Sequence, residues 1–69
     1  MKISARNALK GTVTDIKEGA VTDVITIDIG GGNTVVSSIT KDSAERLGIA
    51  VGKEVTAVIK ASDVMLAVD

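Results

Sequence analysis

The chain contains no histidine, no cysteine and no Phe, Tyr or Trp. Without histidine, no side chain has an ordinary pKa near neutrality, and general acid–base catalysis lacks its usual carrier. Without cysteine there is neither a disulfide nor a thiolate metal site. Without aromatic rings there is no platform on which a nucleobase could stack. No sign of charge dominates either: eight basic and nine acidic residues leave a net charge of −1. That balance provides no electrostatic footprint for nucleic acid or an anionic membrane. No apolar run approaches the roughly 20 residues that span a bilayer. The start, Met1-Lys2-Ile3-Ser4-Ala5-Arg6, has no apolar stretch of the secretory type, so a cytoplasmic protein is expected.

What is present is small and branched. Val, Ile, Leu, Met and Ala must build the whole core of a 69-residue chain, read here as one domain over residues 1–69. A core of small side chains removes little apolar surface from water, at roughly 25 cal/mol per Å², and barely offsets chain entropy. With no disulfide or metal staple, composition predicts an oligomer.

The β-branched residues mark strands. Leu9 to Ile16 alternates, with Leu9, Gly11, Val13 and Asp15 on one side, and Lys17-Glu18-Gly19 reads as a turn. In Ala20 to Ile29, Ile25, Ile27 and Ile29 face one way while Thr26 and Asp28 face the other. Gly30-Gly31-Gly32-Asn33 reverses the chain into Thr34 to Ile39. One helix follows: Thr40 is a good N-cap, Ala44, Glu45, Arg46 and Leu47 are good formers, and Gly48 is a stop. Glu54 to Ile59 and Val64 to Val68 read as two last strands. The order predicts an all-β fold, a small OB-like Greek-key barrel of about five strands with one short helix after the third. A swapped-hairpin dimer is the architectural competitor.

Three places gather hydrogen-bond donors and fixed cations: Ser4-Ala5-Arg6-Asn7, the helix start at Thr40 and Ser43, and Lys60-Ala61-Ser62. Taken singly, each has an ordinary explanation as a surface arginine, a helix cap or a strand-end lysine. Together they suit a small, fully ionised oxyanion, because they donate and do not titrate near neutrality. The glycine run has no following Lys-Ser/Thr and opens no helix, so it is a hairpin turn and not a phosphate loop. Asp15, Asp23, Asp28 and Asp63 have no metal-ligand or acid–base spacing and read as solubilising. A binder, not an enzyme, is expected.

Ile3-Ser4-Ala5-Arg6-Asn7, Leu9-x-Gly11, Ile39-Thr40-x-x-Ser43-Ala44-x-Arg46-Leu47-Gly48, Gly52-Lys53-Glu54-Val55 and Lys60-Ala61-Ser62 together resemble the molbindins, the small molybdate-binding Mop proteins. The resemblance spans essentially the whole chain. It implies a five-stranded OB-like barrel with strands exchanged between subunits, assembled as a homohexamer built as a trimer of dimers. It also implies molybdate or tungstate as ligand, for storage and homeostasis; the family is associated with a pterin too, but with no aromatic residue to stack one, no organic cofactor is expected. Carried over by residue, Ser4, Ala5 and Arg6 of one subunit would meet Thr40, Ser43, Lys60 and Ala61 of a neighbour. Ser62 lies beside this set, and Asn7 would support the Arg6 segment. The competing readings are an OB-type nucleic-acid-binding module and a swapped-hairpin DNA-binding dimer. Both sit poorly with a chain that is net acidic and has no aromatic residue.

Overall fold

The computed structural model describes Met1–Asp69. The alternation of branched apolar and polar residues extends the chain into β1 (Asn7–Glu18), β2 (Thr22–Gly30), β3 (Asn33–Thr40) and β4 (Glu54–Ile59), with α1 (Lys41–Leu47) between β3 and β4. The sheet order is β3-β2-β1-β4, all neighbours antiparallel. Three hairpin-linked strands with the fourth returning beside the first make a Greek key.

The long strand β1 curls this sheet. Its first half, Asn7 to Thr12, pairs with β4, and its second half, Thr12 to Glu18, pairs with β2. Gly11 stands where β2 crosses. A Cβ there would lie 2.5 Å from the Asp28 carbonyl oxygen and 2.7 Å from Ile27 Cγ2, so only glycine fits. Just beyond, the register shifts between Val13 and Asp15. This bulge reverses which residues face inward. Ile16 turns toward the core in place of Asp15, which is exposed, and that corrects the uninterrupted alternation expected through Asp15. Strand β1 also runs on to Glu18, so the turn falls at residues 19–21 and not at Lys17-Glu18-Gly19.

Val13, Ile25 and Ile27 form the centre of the core, with Ile16, Ile29, Ile39, Ile49, Val55 and Ala57 packed against them. Only five of the 69 residues are buried. The concave side of the sheet remains an open apolar hollow of about 760 Å³, lined by Ile25, Val35, Ile39, Ile49, Val55 and Ile59 among others.

Four strands are present, not five. After one 3-10 turn at Ala61–Asp63, residues 64–69 form no strand. Val64 has extended backbone (φ −91°, ψ 117°), but Met65, Leu66 and Val68 are more than nine-tenths exposed. Alternation prepares a segment to be a strand, yet a strand needs a hydrogen-bonding neighbour, and no strand of the same chain is placed beside this one.

Candidate oxyanion site

The first and last donor segments are brought together by the β1–β4 ladder. Its terminal rung is Asn7 opposite Ile59. Asn7 Nδ2 also donates to the Ile59 carbonyl oxygen at 3.2 Å, fastening that rung. Arg6 and Lys60 are the next residues beyond it, one on each strand. Ser4, Arg6 and Lys60 are exposed and Ala5 is half-buried. Ala61 and Ser62 lie in the 3-10 turn immediately after Lys60, also exposed. Both ion-pair contacts of the chain are made by Lys41, so the charges of Arg6 and Lys60 are uncommitted.

The helix start is organised by its own side chains. Thr40 Oγ1 accepts from the Ser43 backbone N–H at 3.1 Å and donates to Ser43 Oγ at 2.8 Å. With its oxygen already receiving the Thr40 proton, the Ser43 hydroxyl has its own proton free to donate outward. At the other end of α1, Gly48 (φ +66°) closes a Schellman motif, with Ile49 N–H to Ala44 O at 2.9 Å and Gly48 N–H to Glu45 O at 3.0 Å. Lys53 Nζ donates to the Leu47 carbonyl oxygen at 2.6 Å.

Thr40 does not lie near Arg6 along the sheet. It pairs with Thr22, whose neighbour Asp23 pairs with Glu18, the far end of β1. At about 3.3 Å per residue, the 12 residues of β1 run roughly 36 Å along the strand from one end to the other. The expectation grouped Lys60 and Ala61 with Thr40 and Ser43. Within one chain the register sets Lys60 beside Arg6 and leaves the hydroxyl pair at the opposite end.

This fold and these segments have close counterparts. Molybdenum-pterin-binding protein 1 of Clostridium pasteurianum is 52% identical over 66 residues, covering 96% of this chain and 97% of that protein. The family model for the TOBE domain matches residues 3–66. The chain belongs to the molbindin family. Among solved molbindin-like structures, a molybdate-binding protein from Sporomusa ovata superposes with a TM-score of 0.90 at 40% identity, covering 97% of this chain and 98% of that one. ModG, described as a cytoplasmic molybdate-binding protein and solved with molybdate bound, matches with a TM-score of 0.84 at 54% identity. That match covers 88% of this chain and 43% of the ModG chain.

One carboxylate in this molbindin departs from the solubilising role that its spacing suggests: Asp23 is 4% exposed. Its Oδ1 accepts from Lys41 Nζ at 3.1 Å and from the Gly19 N–H at 3.3 Å. Glu18 lies 3.6 Å from the same Nζ. The hydrogen bond that Lys41 donates to Asp23 raises the Lys41 pKa above its ordinary 10.5; desolvation opposes this, and the charges of Asp23 and Glu18 add to it. The signal was available, because counting back by twos from Ile25 puts Asp23 on the inward face.

Proposed function

We propose that this protein binds molybdate, and tungstate with little discrimination, at sites between subunits of a homo-oligomer. Ser4, Ala5, Arg6, Lys60, Ala61 and Ser62 of one subunit would form one wall of each site. Thr40 and Ser43 of a neighbour would form the other. The observation that carries this reading is the placement of the donors. Two uncommitted cations stand side by side at one end of β1, and an outward-donating hydroxyl pair stands at the other end, an arrangement that a second copy would complete.

The chemistry favours a bare dianion. Molybdate is fully deprotonated at neutral pH and only accepts hydrogen bonds, so a cage made solely of donors satisfies it. Phosphate carries a proton that such a cage leaves unpaired, at roughly 1–3 kcal/mol. Sulfate carries none, but it is smaller and cannot reach every donor of a rigid cage. One Arg and one Lys match the charge of a dianion and limit the cost of burying it between subunits. The chain offers no aromatic ring to stack a pterin, which favours the oxyanion itself as ligand.

Assembly follows from the same features. The open hollow, the unpaired edges of β3 and β4, and the exposed apolar residues 64–68 suit exchange of a strand with a neighbour, in a trimer of dimers. No helix is long and apolar enough to cross a membrane. An intracellular store that releases molybdate by mass action fits this set of properties, and nothing in the fold or the comparisons favours nucleic-acid binding. Calorimetric titration of anion-stripped protein tests the reading, with sulfate and phosphate as controls. Tight molybdate binding with about one anion or more per subunit supports it, and absence of heat from molybdate overturns it.

A further inference from the structure

Asp23 is the only buried polar residue of the chain, and the proposed anion contacts do not use it. Its neighbours explain why a carboxylate sits there. It lies on β2 next to Thr22, which pairs with Thr40, and it pairs across the ladder with Ile39. The residue that neutralises it, Lys41, directly follows Thr40 and opens α1. The Lys41 backbone N–H donates to the Val21 carbonyl oxygen at 2.8 Å while Nζ reaches Asp23 Oδ1 at 3.1 Å. The residue after β3 is thus held to the start of β2 by main chain and side chain together. Gly19 N–H, on the same carboxylate oxygen, ties the β1–β2 turn into the node.

We infer that the Asp23–Lys41 pair is a positioning device for the oxyanion site: it fixes the β3–α1 junction so that the Thr40–Ser43 hydroxyl pair stands at a set distance from the cations of the facing subunit. The inference rests on the proposed oxyanion reading. It has two consequences. The pair keeps a third cation, one residue from Thr40, engaged inward, so the anion meets the charge of Arg6 and Lys60 alone. It also makes the hydroxyl wall rigid, and rigidity is what lets a donor cage reject an anion smaller than molybdate. A slack junction allows Thr40 and Ser43 to follow a smaller anion inward.

The test is calorimetric titration of the full-length oligomer with molybdate and with sulfate, for wild type, Asp23→Asn, Lys41→Gln and the double variant, with melting curves alongside. Each single variant is expected to weaken molybdate binding by about threefold to thirtyfold. The preference for molybdate over sulfate should shrink, and the double variant should bind no worse than the weaker single one. Lys41 is about one-third exposed, so Lys41→Gln carries the test should Asp23→Asn fail to fold. Lower melting temperatures with unchanged molybdate affinity and unchanged selectivity would reduce the pair to a structural strut and overturn the inference. Wild-type protein that gives no heat with molybdate overturns the oxyanion reading itself, a result distinct from that one.

Discussion

Arg6 and Lys60 carry the proposed recognition, and each is exposed and unpaired in the chain alone. Removing either would leave a dianion half-neutralised. Arg6→Ala and Lys60→Ala are each expected to weaken molybdate binding about tenfold or more, measured by calorimetry on folded oligomer. Unchanged affinity in both would remove them from the site. Lys41 behaves differently because its charge is already committed to Asp23. Its folded-state pKa is raised, so the stabilisation from the pair is complete below 10.5 and fades as pH climbs through the folded-state value. Urea midpoints followed from neutral to alkaline pH should show a loss above 10.5 that is smaller in Lys41→Met than in wild type. An identical alkaline loss in both would show that Lys41 contributes nothing to it. Lys41→Met should also lower the urea midpoint at neutral pH, because it leaves the Asp23 carboxylate buried without its cation.

Helix α1 shows what local sequence specifies. Thr40 caps it and Gly48 ends it in a left-handed conformation, both legible from residue type and order, while the burial of Ala44 comes from packing. Gly48→Ala is therefore expected to cost about 1–2 kcal/mol in urea unfolding, because an L-residue resists that φ; no loss would contradict the capping role. Strand β2 was legible for the same reason: Ile25 and Ile27 are buried and Asp28 is exposed, as alternation demands. The failures lie where one element is defined by another. The bulge after Val13 is set by pairing with β2, so single-strand alternation misplaced Asp15 and Ile16. Asp23 was visible as an inward position, but its partner Lys41 arrives only when β3 and α1 fold back over β2. Val64 to Val68 carries a strand pattern and lacks a strand neighbour in its own chain. The three donor segments are visible in the sequence, but that Arg6 and Lys60 fall at one end of the sheet and Thr40 and Ser43 at the other is visible only in the register.

Only five residues are buried and the sheet carries an open apolar hollow, a surface that the proposed assembly would cover. An anion that bridges two such subunits stabilises the assembly by mass action, by about 2.7 kcal/mol at a hundred times the Kd. Thermal melting followed by circular dichroism should therefore shift upward with excess molybdate and stay in place with equal sulfate. An identical melting temperature with molybdate would argue against a bridging site.

The most direct measurement is complementation between two defective proteins. One carries Arg6→Ala with Lys60→Ala, the other Thr40→Ala with Ser43→Ala. Each alone should fail to bind molybdate in a calorimetric titration. Refolded together at equal ratio, mixed oligomers should regain about a quarter of the wild-type sites, because random pairing joins one intact wall to the other at that frequency. Recovery near that fraction is the result expected if each site spans two subunits. No recovery in verified mixed oligomers would contradict it and return both walls to a single chain.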